Sequence, residues 1–285
     1  MKSLKLGWVG SGFVGQLAHL KSYINIPNVE IIGLAELRSN LGNLVCKRNG
    51  IDKYYPDHLE LMNDNPNLDA IIAIVNRKHT FSVAKDILSN GYNLFTEKPM
   101  SPTSLQGQIL VNLAKKNKLI YAIGNMRRFD HGVSLAKKEF DKIIKNKSFG
   151  KLISFTCYCN AGGDYCNIDG ELKTTESRPN NLIFPIAPIW LNKKFHKNFE
   201  KSLNYFSHDI NLIRYFFGDK LKVASSTINN HSLNVTFNDN KIAGIFQGNY
   251  TKQNIWDEGL DIIFEKGMIK IKLFPAFLRN QCACL

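Results

Sequence analysis

The sequence predicts an α/β protein, with a Rossmann-type doubly wound parallel sheet in residues 1–123 and an α+β domain with a mainly antiparallel sheet in 124–285. Three observations carry that expectation. The first 123 residues alternate apolar β-rich runs with segments of helical period, the mark of parallel strands joined by crossover helices. Those runs are nearly continuous in apolar residues, as in a sheet buried on both faces. After Gly124 the rhythm changes to short β-like runs separated by Gly, Asn and Asp turns.

The parallel strands are expected at Leu4 to Val9, Val29 to Leu34, Ala70 to Val75, Asn93 to Thr96 and Leu119 to Ile123. Between them, Phe81, Ala84, Ile87 and Leu88 recur at helical spacing, as do Leu105, Ile109 and Leu113 behind the breaker Pro102. A Lys-rich helix from Val133 to Lys145 then leads into a strand from Leu152 to Cys159. The stretch Asn160 to Lys197 reads as irregular, and a strong helix from about Glu200 to Phe217 is stopped by Gly218. Strands follow at Val223 to Ile228, Leu233 to Phe237, Ile242 to Gln247, Leu260 to Phe264 and Met268 to Leu273.

With 285 residues, 44% of them hydrophobic, the chain can bury a large core. No apolar run approaches the roughly 18 residues of a membrane helix. Gly7, Gly10, Gly12 and Gly15 break any signal-peptide core behind the basic start, so six cysteines read as reduced thiols of a cytoplasmic protein. Cys157, Cys159 and Cys166 lack the C-x2-C pairing of a zinc site, and no metal is expected. The net charge of +13 is spread along the chain in short doublets. That describes a solvated surface rather than a nucleic-acid face, although an anionic ligand would benefit from the field.

Gly10-Ser11-Gly12-Phe13-Val14-Gly15 matches G-x-G-x-x-G between the first expected strand and a helix. Glycines there allow a tight turn and close approach, so a helix N-terminus can hold a pyrophosphate. About 20 residues on, Glu36 stands at the end of the second strand, where a carboxylate accepts the ribose hydroxyls of NAD. Glu36 would repel a 2′-phosphate, which favours NAD, while Arg38 can offset that charge and keeps NADP open. Glu97-Lys98-Pro99 follows the strand at Asn93 to Thr96 and puts Lys98 at the carboxyl edge of the sheet, able to bond a substrate oxygen.

On the 200–217 helix, Leu203, Phe206, Ile210, Ile213 and Phe217 form an apolar stripe opposite a fan of Asn204, His208, Asn211 and Tyr215. A solvated face would carry Lys and Glu; this one carries neutral hydrogen-bonding groups and an imidazole, whose ordinary pKa of about 6.5 suits proton transfer.

Together, the glycine turn, Glu97-Lys98-Pro99, Asn76 with His79, Gly124 to Phe129, and Ser207 to Arg214 resemble the glucose-fructose oxidoreductase, inositol dehydrogenase and rhizopine-catabolism (Gfo/Idh/MocA) family. The likeness runs from Met1 to about Asn280. It implies NAD or NADP in the first domain and a sugar, inositol or nucleotide-sugar carbinol lying between the domains. It implies that Lys98 orients the substrate hydroxyl, that His208 is the acid/base, and that Asn76, His79 and Glu97 line the cofactor. Arg127 and Arg128 would lie near the cleft, with Arg128 on the substrate, and the protein would be a homo-oligomer without nucleic-acid or membrane partners.

One departure is Asn204, where many members carry Asp four residues before the histidine. An amide cannot stabilise an imidazolium by charge, so Asn204 is expected to position the hydroxyl while His208 alone takes its proton. Relatives normally continue well past Pro275, so the second domain is expected to be short of stabilising surface. Cys282-Ala283-Cys284-Leu285 fits a prenylation pattern, but no polybasic run precedes it and modification is not expected. Two other readings stay open: transient oxidation followed by elimination, as in NAD-dependent glycosidases, and a cofactor-binding regulatory or vestigial protein without turnover.

Overall fold

Strand β1 (Leu4–Val9) is exposed at its start and buries Leu6, Trp8 and Val9 at its end, which makes it the centre of the first sheet. A computed structural model describes residues 3–162, 169–178, 184–238, 242–252, 256–278 and 281–285. Around β1 lie β2 (Val29–Ala35), β3 (Tyr54–Tyr55), β4 (Ala70–Ala73), β5 (Asn93–Thr96) and β6 (Tyr121–Ile123). Their order is β3-β2-β1-β4-β5-β6, every pairing parallel. The chain winds to one side of β1 and then the other, so the carboxyl ends of β1 and β4 flank the switch point where ligands bind in such sheets. The sequence reading missed β3, because two residues carry no periodic signal.

A helical segment follows the glycine turn, wide-pitched over Gly15–Leu20 and continuing as α1 (Lys21–Tyr23). The crossover helices are α2 (Ser39–Asn49), α3 (His58–Asp64), α4 (Arg77–Ser89) and α5 (Ser104–Lys116). Asp57, Asn76 and Thr103 cap the last three, each side-chain oxygen accepting from backbone N–H groups of the first turn.

The chain forms two compact units: Met1–Gly124 with Asp169–Trp190, and Asn125–Ile168 with Leu191–Leu285. Residues 169–190, expected with the second domain, therefore belong with the first. Specific bonds hold them there. The Gln16 amide pairs both ways with Leu172, donating to its carbonyl at 3.0 Å and accepting its N–H at 2.8 Å. Arg48 donates to the Gly170 carbonyl, and Gln106 to that of Pro185. Phe184 meets Phe81 edge to face at 4.8 Å.

In the second unit, α6 (His131–Asn146) precedes β7 (Leu152–Gly162), and α7 (His196–Phe217) precedes β8 (Val223–Ile228), β9 (Ser232–Asn238), β10 (Ala243–Thr251), β11 (Trp256–Phe264) and β12 (Gly267–Leu273). The sheet order is β12-β11-β7-β10-β9-β8, antiparallel except where β7 meets β10. Both helices contribute to its core: Val133, Ala136 and Phe140 from α6 join Phe206, Ile213 and Phe216 from α7 against Phe155, Phe246 and Leu260. Phe206 lies so close over β10 that a Cβ at Gly248 would come within 2.7 Å of its ring. Near the chain's end, Cys284 bridges to Lys272 beside β12, and the Ala283 N–H reaches the α6 cap Asp130 at 3.0 Å.

Candidate dinucleotide site and a polar helix face

The turn after β1 is built for glycine. Gly10 has φ +90°, and a Cβ there would collide with the Ile74 carbonyl; a Cβ at Gly15 would come within 2.8 Å of the Gly10 carbonyl. At Gly12 the reverse holds: nothing lies within 4 Å of where its Cβ would be. That is the middle glycine of the pattern, where a pyrophosphate needs close backbone approach, and no side chain caps the helical segment beyond it. Phe13 and Val14 complete the turn.

Gly10→Ala is expected to cost roughly 1–3 kcal/mol of first-unit stability through the positive φ and the clash. Gly12→Ala, with open space before it, is expected to leave the melting curve near wild type and to weaken dinucleotide binding instead. Urea melts beside NADH titrations check both, and equal melts for the two variants would contradict the steric account.

Glu36 follows β2 directly, 7% exposed, and organises the turn. Its Oε2 accepts from the Ser11 N–H and hydroxyl, both at 2.9 Å, and from Arg38 Nη2 at 3.0 Å. Its Oε1 accepts from Arg38 Nε at 2.7 Å and from the Arg38 N–H at 3.2 Å. Burial alone would raise this carboxyl's pKa, but the Arg38 guanidinium and the Ser11 donors outweigh it and hold the pKa below the ordinary glutamate value. Arg38 thus neutralises Glu36 directly, closer than the offset expected from sequence.

Beside β5, Glu97 accepts the Lys98 N–H at 3.0 Å through Oε2, while its Oε1 lies 2.6 Å from His19 Nε2. Lys98 follows β5 at the carboxyl edge of the sheet, and Glu97 ties its backbone to the helical segment after the glycine turn. His19 was missed from sequence; its one signal is a position one turn beyond Gly15. Asn76, expected on the cofactor, caps α4 with Oδ1 on the Lys78 N–H at 3.1 Å, and His79 stands in that helix's first turn.

In the second unit, the buried face of α7 differs from the expected stripe. Ser202, Phe206, Asp209, Leu212, Ile213 and Phe216 are buried, whereas Leu203, Ile210 and Phe217 are half-buried. The inward face is turned by roughly a fifth of a circle toward Asp209 and Leu212. His208 remains half-buried and Asn204 exposed, on the side away from the core. Asn211, from the same fan, accepts Arg128 Nε at 2.6 Å, and the Arg128 guanidinium lies 5.0 Å over the Tyr215 ring. Arg128 is thereby anchored to α7.

Arg127, expected near a substrate cleft, is buried in an ion pair with Glu258 of β11. Trp256 Nε1 donates to the same Glu258 oxygen at 2.9 Å. Asp209 is buried beside this pair, its carboxyl next to that of Glu258. Burial and then the nearby Glu258 push its pKa well above the ordinary aspartate range; burial also raises Glu258, against the pull of Arg127 and Trp256. Cys157 and Cys159 are core residues with pKa values raised by burial, and Cys166 lies outside the described residues.

Residues 4–125 match the family model described as oxidoreductase family, NAD-binding Rossmann fold (Gfo/Idh/MocA). Inositol 2-dehydrogenase of Salmonella typhimurium is 30% identical over 142 residues, 49% of this chain and 42% of that enzyme. The scyllo-inositol 2-dehydrogenase (NAD(+)) of Bacillus subtilis is 25% identical over 134 residues, 47% of this chain and 39% of that one. The matched stretch thus spans less than half the length of these relatives. Among solved structures, myo-inositol dehydrogenase from Lactobacillus casei in complex with NAD(H) and myo-inositol superposes with a TM-score of 0.74 at 17% identity, covering 94% of this chain and 74% of that one. Myo-inositol 2-dehydrogenase from Lactobacillus plantarum gives 0.73 at 20% identity, covering 95% and 76%. These likenesses establish the two-part fold.

Proposed function

We propose that the protein, whose residues 4–125 match the model of the oxidoreductase family with an NAD-binding Rossmann fold, is an NAD-dependent dehydrogenase acting on a CH–OH group of a sugar, inositol or nucleotide-sugar. The observation that carries this reading is the open glycine turn at Gly12 beside the Glu36 carboxylate, a pyrophosphate cradle and a ribose acceptor at one sheet edge. The inositol dehydrogenases among the relatives support the substrate class.

Bound there, NAD would accept or return a hydride at its nicotinamide. The turn from Gly10 to Gly15 supplies backbone donors to the pyrophosphate, and Glu36 accepts the adenosine ribose hydroxyls in place of bonds it now takes from Arg38. The other roles come from the family resemblance. Lys98 donates to the carbinol oxygen and stabilises negative charge as the proton leaves. His208 takes that proton, and Asn204 holds the hydroxyl without supplying charge. Glu97 keeps the Lys98 backbone in place, and Arg128, fixed by Asn211, contributes to substrate binding.

Tryptophan fluorescence titrated with NADH and NADPH tests the cofactor, with saturable NADH binding expected to weaken about tenfold or more in Glu36→Ala. NAD reduction is then followed at 340 nm with inositols and sugars. Net NADH formation is the expected result, and turnover without net NADH would point to transient oxidation instead. A folded protein that binds neither dinucleotide ends the proposal.

A further inference from the structure

The segment that returns to the first unit brings a second carboxylate to the adenosine end of the glycine-turn site. Helix α2 starts directly after Arg38, and its own N-cap residue makes no side-chain cap. Glu176 fills that role from 136 residues away: its Oε1 accepts the Asn40 N–H at 3.0 Å and the Ser39 hydroxyl at 3.3 Å, and its Oε2 accepts the Leu41 N–H at 3.1 Å. Thr174 holds the carboxylate in turn, donating its hydroxyl to Oε2 at 2.9 Å and accepting the Glu176 N–H. The Gln16–Leu172 amide pairing and the Arg48–Gly170 bond fix the backbone just ahead of Thr174 and Glu176.

The donors that Glu176 occupies are those an anion beside Glu36 would use. A phosphate on the ribose 2′-oxygen projects past the β2 end, toward the first N–H groups of the next helix and any arginine there. Arg38 is that arginine, and it is already bonded to Glu36. The Glu36–Arg38 pair is therefore close to neutral as a unit, and its repulsion of a phosphate is weak. Glu176 is in no ion pair among the described residues, and its pKa lies below the ordinary glutamate value, with the Asn40 N–H as the main cause, so its charge persists at neutral pH.

We propose that Glu176 is a specificity-determining residue for the cofactor, its carboxylate holding the α2 N-terminus against a 2′-phosphate and so rejecting NADP. The inference rests on the dinucleotide reading of the glycine turn and goes beyond it, because the sequence reading left this choice to Glu36 and Arg38. The rejection works through occupied donors as well as like charge: a phosphate arriving at Asn40 and Leu41 finds both N–H groups taken.

The test is calorimetric titration of the full chain with NADH, NADPH and 2′,5′-ADP, for wild type, Glu176→Gln and Glu176→Ser, each shown folded by its melting curve. The affinity ratio of NADPH to NADH is expected to rise by about tenfold or more in both variants, with 2′,5′-ADP binding appearing in parallel. A ratio unmoved in variants that bind NADH overturns the assignment while leaving the dinucleotide reading intact. Loss of both dinucleotides in the variants overturns it too, by making Glu176 a tether of its segment. Wild-type protein that binds neither dinucleotide overturns both readings.

Discussion

On the proposed dehydrogenase reading, His208→Ala is expected to lower kcat by about 10²–10⁴-fold, the range for removing a positioned proton acceptor. NADH affinity in the same variant is expected to stay near wild type, since the glycine turn and Glu36 belong to the other unit. The core should tolerate the change, because His208 lies half-buried beside exposed Asn204 rather than on the packed face of Phe206, Ile213 and Phe216. Added imidazole restoring part of the rate would identify the lost function as proton transfer. Asn204→Asp should act in the opposite sense, since a carboxylate one turn earlier stabilises the imidazolium. The acid limb of its pH–rate profile is expected at higher pH than in wild type. Full turnover by His208→Ala, measured where chemistry limits the rate, would end the assignment.

Arg127→Met is expected to destabilise the second unit by about 3–5 kcal/mol near neutral pH, the cost of stranding a buried charge after its partner is removed. Arg127 and Glu258 are both buried, and without Arg127 the Glu258 carboxylate would keep the Trp256 N–H and the neighbouring Asp209 carboxyl but no cation among the described residues. The penalty depends on pH. Asp209 and Glu258 both have pKa values raised by folding, so their contribution is fully present below the unfolded carboxylate values and is lost as pH rises through the folded ones. Arg127 limits that loss for Glu258, so the gap between wild type and variant should be small near pH 4.5 and widen toward pH 8. Asp209→Asn, which keeps the shape and cannot ionise, should flatten the alkaline side of the wild-type curve. Thermal melts across that range measure all three proteins, and a gap independent of pH would mean that Arg127 acts by packing alone.

What was legible in the sequence was local. The glycine turn, the acid at the end of β2 and the Glu-Lys-Pro after β5 each lie within a few residues of the strand that positions them, and strand and helix periods mark those strands. The α7 face was legible in part: Asn204 is exposed and His208 half-buried, but Tyr215 packs against the core, and Leu203 and Phe217 drew the expected stripe toward themselves. Apolar pattern cannot report that an aspartate will be buried, because the charged groups around it, the cation of Arg127 and the carboxyl of Glu258, come from a turn before α6 and from β11. Glu176 was invisible for the same reason. It sits in a stretch with no period, and its partners stand at the start of a helix in the other half of the chain. His19 against Glu97 and the two-residue β3 complete the set of features made by long-range pairing.

The single parallel pairing in the second sheet bears on how that unit assembles. Strands β8, β9 and β10 follow one another as antiparallel neighbours, and β11 and β12 do the same, so each group can close from its own turns, where hairpins form within microseconds. Neither group touches the other except through β7, which lies between β10 and β11 and is separated from both by α7 and the intervening strands. The entropy of long-range loop closure is therefore concentrated on one strand. Two locally zipped ribbons need β7 to slot between them, and that one insertion is the step expected to limit the speed at which the second unit folds.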